Sequence, residues 1–262
     1  MKPPALAPLA LFAFAASLAS AQEAAVTKET DTGPKHLVIT YRATPANRAA
    51  FRQYMLKTGV ARFERYRKDA VVDGYRLLFN RYVDADTWDL LALLDFKDYA
   101  QATGWKDVEA EAPGGLSAEA LALAAPVHTY SMDLIRRGAS PTPAAPGKSV
   151  FFVIPYDYLV ATPEYTKYLD EYVLPQLEGW VGENVVATWA IYLNRYATSR
   201  PWKSLFILEY RDAAAFGARE RTVEKVRVTL RSNPVWKARS DSKASVRVEK
   251  ETAVADELLP RP

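Results

Sequence analysis

The sequence contains one phrase twice. "FNRYVDADTWDLLALLDFKD", residues 79–98, returns as "LNRYATSRPWKSLFILEYRD", residues 193–212, without a gap and at a shift of 114 positions. The match extends upstream, because "HLVITY" from His36 aligns with "VFFVIP" from Val150 at the same shift. Self-similarity at a fixed spacing indicates repeated structural units. The chain is therefore predicted to contain two copies of one domain.

The N-terminus has the pattern of an export signal. Lys2 precedes the apolar run "LAPLALFAFAASLA", which is followed by the small-residue sequence "ASAQ" that a signal peptidase accepts after Ala21. Residues 22–34, "QEAAVTKETDTGP", are predicted to form a flexible polar leader. We therefore expect a periplasmic or secreted protein.

A segment rich in proline, glycine and alanine separates the two copies. "GASPTPAAPGK" has the composition of a linker and falls between the end of the first copy and the start of the second. The predicted division of the chain is a signal peptide at 1–21, the leader at 22–34, a first domain at 35–137, the linker at 138–148, a second domain at 149–252 and a tail at 253–262.

Composition argues against several classes of protein. The chain has no cysteine, so disulfides, thiolate nucleophiles and zinc–thiolate sites are excluded. Its formal charge of +3 falls to +2 without Lys2, whereas a nucleic-acid-binding surface needs a clear excess of Lys and Arg. No segment after the signal offers about 20 consecutive apolar residues. We therefore expect neither a nucleic-acid partner nor a membrane anchor.

Each copy has the predicted order strand, helix, strand, strand, helix, strand. Apolar residues spaced by three and four predict the first helix, with a Thr-Pro pair (44–45 and 162–163) expected to cap its start. Asp98 and Asp212 are predicted to cap the second helix. The runs "VHTYSMDLI" and "ASVRVEKE" are predicted to be the final strands.

This order is the ferredoxin-like split βαβ motif, in which both helices cover one face of an antiparallel sheet. The strand "WAIYLNRY" places Trp189, Ile191 and Leu193 on one side and Tyr192 on the other. Both faces of the sheet are therefore expected to be buried, and the bare face of each sheet needs a partner.

On these features the chain resembles the dimeric α/β-barrel superfamily. The repeated Asn-Arg-Tyr, the Trp before the next strand and the sequence "SNPVWKA" at 232–238 are similar to its EthD-like, NIPSNAP-like and antibiotic-biosynthesis monooxygenase-like members. The resemblance implies an α+β protein of two tandem ferredoxin-like domains, packed sheet to sheet as a pseudo-dimeric α/β barrel. It also implies a pocket between the sheets, and it leaves further oligomerisation open.

The repeated Asn-Arg-Tyr has two interpretations. Arg could orient an anionic or enolate oxygen, Asn could hydrogen-bond it, and Tyr with Trp could sandwich a planar ligand. Alternatively, Asn and Arg tie down a hairpin while Tyr and Trp pair across strands. Duplication favours the structural interpretation, because a single binding site rarely needs two copies of its residues. The candidate ligand-binding residues are Asn80, Arg81, Tyr82, Trp88, Tyr192, Asn194, Arg195, Tyr196 and Trp202.

No metal or cofactor is predicted. His36 and His128 are expected to open the first and last strands of copy one, whose starts lie at opposite ends of an antiparallel pair, so a joint metal site is not expected. The acidic residues at 84–89 lack the glycine of a calcium-binding loop. Haem-binding relatives use a histidine ligand, and copy two has none. A role as base for one of the two histidines stays open.

Two functions from different classes are compatible with the sequence. The first is an exported soluble protein that holds a small apolar or aromatic molecule in the cleft between the two sheets without converting it. The alternative is a cofactor-free monooxygenase-like or EthD-like enzyme acting on a small aromatic or enolisable substrate. In that case Arg and Asn would stabilise an oxyanion while Tyr or His moves a proton. The sequence does not decide whether the protein is an enzyme.

Overall fold

The structure, a computed structural model, describes residues 35–260, so the predicted signal peptide and leader lie outside the described residues. The first half contains β1 (His36–Ala43), α1 (Arg48–Tyr54), a π-helical turn (Met55–Gly59), α2 (Val60–Lys68), β2 (Gly74–Asn80), β3 (Leu90–Asp95), α3 (Tyr99–Glu111), a 3₁₀ turn (Pro113–Gly115), α4 (Ala118–Leu121) and β4 (Ala124–Ala139). The second half contains β5 (Val150–Tyr158), α5 (Thr162–Tyr168), a π-helical turn (Leu169–Val173), α6 (Leu174–Gly182), β6 (Val186–Asn194), β7 (Ser204–Tyr210), α7 (Ala213–Gly217), α8 (Arg219–Leu230), α9 (Pro234–Val246), β8 (Arg247–Glu249) and β9 (Ala253–Glu257).

Eight antiparallel strands close into one barrel, with helices outside it. Their order is β7-β6-β4-β1-β3-β2-β9-β5, and pairing of β5 with β7 completes the circle, while β8 pairs with the far end of β5. Two seams join the halves: β4 pairs with β6, where Met132 faces Asn194, and β2 pairs with β9, where Asn80 faces Ala255. The protein is therefore an α+β barrel.

The expected α+β barrel is confirmed, but the sheets of the two halves are joined edge to edge into one closed sheet. Strand β4 is 16 residues long and pairs with β1 along its first part and with β6 along its last part. In the second half, β9 pairs with both β5 and β2. Because the last strand of each half crosses to the other half, no open sheet edge remains between them.

Three hydrophobic clusters fill the molecule. One lies inside the barrel, and one lies between the sheet and the helices of each half. Strand β6 shows why two faces are buried: Trp189, Ile191 and Leu193 pack toward the helices, whereas Tyr192 belongs to the barrel interior. The predicted burial of both faces is confirmed.

The repeat is visible in the helices, although one capping prediction is wrong. Helices α1 and α5, and the π-helical turns after them, lie at a shift of 114 residues. Thr44 caps the turn that leads into α1, as predicted, because its Oγ1 accepts from the Asn47 amide at 3.3 Å and its carbonyl accepts from the Arg48 amide at 3.0 Å. In α5, Thr162 is itself the first helical residue.

Asp98 and Asp212 cap the helices that follow β3 and β7, as predicted. The Asp98 carboxylate accepts from the Gln101 amide at 2.9 Å, and Asp212 accepts from the Ala215 amide at 2.7 Å. Each carboxylate satisfies an amide that has no partner within the helix.

The end of the second half differs from the sequence prediction. "ASVRVEKE" was expected to be one strand and 253–262 a tail, but most of this region forms α9, the short β8 and the barrel strand β9. Helix α9 has a strong start: the Asn233 side chain accepts from the Val235 and Trp236 amides at 3.0 and 3.1 Å, and Pro234 occupies the first turn. The cap fixes the start of α9, and the helix continues through Val246 into the segment that was expected to be a strand.

The predicted linker is shorter than expected. Strand β4 continues to Ala139 and β5 begins at Val150, so the first two of the residues assigned to 138–148 belong to the sheet. None of the helices within residues 35–260 is both long enough and apolar enough to cross a membrane.

Candidate functional site

One end of the barrel opens into a cleft of about 130 Å³, which we call the mouth cleft. It is bordered by the β2–β3 and β6–β7 hairpins and by the start of β4. Apolar interior side chains form its floor, and polar side chains from β1 and β4 reach its wall. Its principal lining residues are Thr40, Trp88, Leu91, His128, Tyr130 and Trp202.

A continuous aromatic stack forms one wall of the mouth cleft. The His128 ring stacks on Tyr130 with centroids 5.6 Å apart and planes at 28°, and Tyr130 contacts Trp202 at 4.1 Å and 33°. The Arg200 guanidinium lies 5.3 Å above the Tyr130 ring, within the range of a cation–π interaction. Trp88, half-buried, also lines the cleft. The cleft is therefore walled by planar groups.

Both titratable side chains of this stack are uncharged at neutral pH. Burial lowers the pKa of His128 below its ordinary value of 6.5, and the nearby charge of Arg200 lowers it further. Burial raises the pKa of Tyr130 to about 12, although Arg200 opposes this effect. The cleft thus presents a neutral imidazole and a neutral phenol to a ligand.

Trp88 and Trp202 are the residues among the nine sequence candidates that line the mouth cleft. Tyr192 lies in the barrel interior toward the other end, where its ring meets His36 edge to face at 5.5 Å. Tyr82 and Tyr196 point outward, with 66% and 63% of their surfaces exposed. The proposed sandwich of Tyr with Trp is therefore not formed in either half.

The two asparagines of the repeated phrase stabilise hairpins. The Asn80 side-chain amide donates to the Thr87 hydroxyl at 3.0 Å and accepts from the Tyr82 backbone amide at 3.2 Å. The Asn194 side-chain oxygen accepts from the Tyr196 amide at 3.1 Å in the same way. Both asparagines are buried. They have the structural role that the duplication favoured.

The two arginines of the phrase bind the last strand of the opposite half. Arg81 donates through Nε and Nη2 to Asp256 Oδ1 at 3.0 and 2.7 Å, and Arg195 donates to Asp133 Oδ1 at 3.1 and 2.7 Å. Neither arginine lines the mouth cleft; Asn194 and Arg195 instead border a shallow depression beside the second hairpin. The repeated arginines therefore hold the two seams of the barrel.

Sequence reasoning did not select His128 and Tyr130 as site residues. His128 is the fifth residue of β4 rather than its first, and it shares the interior face with Tyr130, Met132 and Leu134. The alternation in "VHTYSMDL" carried this signal. His128 was considered as a base, but it was interpreted as a strand-end residue, so the alternation was not used to place it beside Tyr130.

The two histidines lie far apart, as predicted. His36 faces Met132 across the β1–β4 pair and His128 faces Thr40, four residues further along β1, or about 13 Å at the rise of a β-strand. His36 instead contacts Asp95, with Nδ1 and Oδ1 2.8 Å apart. Among the described residues, no group of three or more His, Cys, Asp and Glu side chains could hold a metal ion.

No protein-family model matches the sequence, and no curated protein is similar to it at the sequence level. Solved structures are similar in fold. An anthrone oxidase-like protein superposes with a TM-score of 0.55 and 11% identity over 91% of this chain and all of its own. A proposed monooxygenase from Lactobacillus acidophilus superposes with a TM-score of 0.51 and 12% sequence identity. The superposition covers 87% of this chain and 95% of the monooxygenase. A proposed chlorite dismutase superposes with a TM-score of 0.50 and 10% sequence identity, over 87% of this chain and 95% of its own. At such low identity these similarities establish the α+β barrel fold alone.

Proposed function

We propose that this protein binds a small, uncharged aromatic molecule in the mouth cleft. The stack of His128, Tyr130 and Trp202 is the observation that supports this proposal most directly. Aromatic walls favour a planar ligand through offset and edge contacts. The volume of about 130 Å³ limits the ligand to a single ring, since an engineered apolar cavity of about 150 Å³ in another protein holds benzene.

The polar groups of the cleft favour a neutral ligand. The Arg42 guanidinium uses two of its five N–H donors on the carbonyls of Asp84 and Ala85. Its charge is offset by the carboxylates of Asp86 and Glu251, which also line the cleft. Neutral His128 can accept or donate one hydrogen bond, and the buried Thr40 opposite it adds a hydroxyl. A phenol or a ring ketone would match these groups.

The two predicted ferredoxin-like domains correspond to the two halves of the barrel. We infer that each half derives from one ferredoxin-like unit, since both halves have the order strand, helix, strand, strand, helix, strand. The ligand would occupy one end of a closed barrel rather than a cleft along two sheets. Export to the periplasm or medium remains part of the proposal, on the signal-like N-terminus.

The described residues do not fit haem, a cofactor of some proteins with this fold. His128 lines a cleft too small for a porphyrin, and His36 is bound to Asp95. A larger cavity in the second half lacks histidine, cysteine and methionine. Burial raises the pKa of its Tyr156, which opposes the tyrosinate that iron would need. No step of the proposed function uses haem, and the expected lack of a cofactor stays a prediction.

Phenol is expected to bind the mouth cleft with a Kd on the order of 1 mM, given its seven non-hydrogen atoms. Trp202→Ala should weaken this binding at least tenfold, because it removes the largest wall of the cleft. Tyr196→Ala is the matched control, since it deletes an exposed aromatic side chain nearby and should leave the Kd unchanged. Titration of each variant with phenol, followed by NMR, measures the two Kd values.

Thermal melting shows whether Trp202→Ala remains folded. If it does not, Trp88→Ala serves as the second variant, because Trp88 also lines the cleft and is only half-buried. Phenol binding that is unchanged in a folded Trp202→Ala or Trp88→Ala protein would contradict the proposed site.

His128 also favours a second candidate function, proton abstraction without a cofactor. A neutral imidazole that lines the cleft in contact with Tyr130 is suited to remove a proton next to a carbonyl, and the Thr40 hydroxyl opposite it can hydrogen-bond the enolate oxygen. The proton passes to His128, and a solvent proton returns to the same carbon. No oxidant is needed for this exchange.

Cyclohexanone in D₂O tests this second function, because each abstraction replaces an α-hydrogen with deuterium. We expect His128→Gln to reduce the protein-catalysed exchange to the buffer rate while the melting temperature shows that the protein stays folded. His36→Gln is the control and should exchange at the wild-type rate. Exchange by the wild-type protein at no more than the buffer rate would exclude this function and leave the binding proposal intact.

A further inference from the structure

A second cavity, of about 320 Å³, lies between the barrel and the helices of the second half; we call it the helix-side cavity. Tyr172 and Val173 of the second π-helical turn and Trp180 of α6 form one wall. Arg227 of α8 and Lys243 of α9 border the opposite part. Its volume is at the lower limit of small-molecule pockets, about 300 Å³.

The helix-side cavity is strongly basic. Arg219, Arg227, Lys243 and Arg247 line it, against the single carboxylate of Glu249. Within the described residues, Arg219 is the one of these four cations that forms an ion pair, with Glu220 outside the cavity. Arg227 is bound through Nε to the neutral side chain of Gln176 at 2.9 Å. The charges inside the cavity are therefore largely uncompensated.

Arg247 lies among aromatic rings at one side of the cavity. Its guanidinium carbon is 3.9 Å from the Tyr156 ring centroid and 5.2 Å from that of Phe206. The guanidiniums of Arg247 and Arg219 lie close to the hydroxyls of Tyr165 and Tyr210, which use part of their donor capacity. Trp180 Nε1, on the wall of the cavity, is buried and has no hydrogen-bond partner among the described residues. A buried donor without a partner is destabilising. The Trp180 indole therefore indicates that a ligand supplies an acceptor here.

The first half provides an internal comparison, because its equivalent space is filled. At the shift of 114 residues, Arg219 corresponds to Trp105, which is 2% exposed and packs against Tyr66 and Phe96. A Cβ placed on Gly115, whose φ is +72°, would lie 2.9 Å from the Trp105 ring, so the loop closes tightly over it. The cavity is thus a feature of the second half and not of the shared scaffold.

Helix α9 completes the cavity; it has 13 residues, whereas the helix before the last strand of the first half, α4, has four. Its Trp236 stacks on Tyr172 at 5.2 Å, and the indole Nε1 donates to the Tyr172 carbonyl at 3.0 Å. This contact fixes α9 on the π-helical turn, so that Lys243 and Arg247 reach the cavity. The second half therefore has a longer helix beside its cavity, where the equivalent space of the first half is filled by Trp105.

We propose that the helix-side cavity binds a small carboxylate with an aromatic body. The carboxylate would accept hydrogen bonds from Arg247 and Arg219, and the ring would lie among Tyr156, Tyr172 and Phe206. A planar guanidinium is suited to this role because it binds both oxygens of a carboxylate. This site is separate from the mouth cleft and shares no lining residue with it.

Isothermal titration calorimetry of the full chain with 1-naphthylacetate tests the proposal. 1-Naphthylethylamine is the matched probe, since it has the same ring system with the opposite charge. We expect the carboxylate to bind at least tenfold more tightly than the amine. Equal affinity of the two probes, or no binding of the carboxylate, would overturn the proposal.

Two substitutions locate the binding. Arg219→Trp introduces the side chain that fills the first half, and Arg247→Met removes the buried guanidinium; each should weaken naphthylacetate binding at least tenfold. Arg221→Gln, an exposed arginine on the same helix that does not line the cavity, should bind as the wild type does.

The two substitutions differ in how strongly they could disturb folding, so the melting temperature of each variant is measured. If Arg247→Met fails to fold, Arg219→Trp decides alone, because Arg219 lies at the start of α8 and keeps part of its side chain in solvent. Unchanged binding in a folded Arg219→Trp protein would overturn the proposal. So would its loss in Trp202→Ala, which would place the probe in the mouth cleft.

Discussion

Residues 35–148 expressed alone are expected to give no stable, soluble monomer. The isolated half would lose the β4–β6 and β2–β9 seams and expose the interior face of its sheet to water. That face is far larger than the few hundred Å² of contiguous apolar surface that a monomer tolerates. Its buried apolar residues are Val38, Leu78, Leu91, Leu93, Tyr130, Met132 and Leu134. Size-exclusion chromatography measures whether the half is monomeric, and circular dichroism measures whether it is folded.

A cut in the intact chain is the control for that experiment. A protease site placed in the loop between β4 and β5 allows cleavage after folding, and the two halves should then stay together with one cooperative melting transition. A soluble monomeric half with its own sharp transition would show that the halves fold independently. Assembly of the half into a dimer would agree with the barrel, since a second copy can supply the missing seams.

Trp105→Ala should lower the free energy of unfolding by about 3–5 kcal/mol, the usual cost of deleting a large aromatic side chain from a packed core. Arg219→Ala, at the equivalent position of the second half, should cost only about 1 kcal/mol. Arg219 already borders a cavity, and its losses are a cation–π contact with Phe152 at 4.6 Å and an exposed ion pair. Urea unfolding of both variants gives the comparison.

This pair tests whether the halves differ in packing as the structure indicates. Similar losses of about 3 kcal/mol or more in both variants would mean that the second half is as tightly filled as the first. The helix-side cavity would then be too small to hold a ligand. A small loss in Trp105→Ala would contradict the packing of the first half instead.

The fold was predictable because the sequence repeats. A shift of 114 residues identified two copies, and the alternation in "WAIYLNRY" showed that both faces of the sheet are buried. Closure into one barrel was not predictable from these patterns. It depends on how far β4 extends, and the residues that extend it, Arg136 to Ala139, lack the alternation of a strand and include Gly138. Their pairing with β6 is a tertiary effect.

The candidate site was harder to predict for a physical reason. The repeated Asn-Arg-Tyr is the most visible pattern in the sequence, and it is repeated because both seams need it, as Arg81 and Arg195 show. The mouth cleft uses one repeated pair, Trp88 and Trp202, but the rest of its aromatic wall and the helix-side cavity depend on residues that differ between the halves. His128 lines the mouth cleft without an equivalent in the second half, and Arg219 stands where the first half has Trp105. The repeated Asn and Arg therefore belong to the scaffold, whereas much of the two candidate sites does not repeat.

The central claim, that the mouth cleft binds a small aromatic molecule, is tested most directly by the indole N–H signals of the six tryptophans. In a ¹⁵N-labelled protein titrated with phenol, the signals of Trp88 and Trp202 should shift together and saturate with one Kd. Those of Trp105, Trp189 and Trp236, which lie in the two helix-side cores, should stay in place. If the Trp88 and Trp202 signals do not move, or if the core signals move more, the protein does not bind its ligand at the mouth of the barrel.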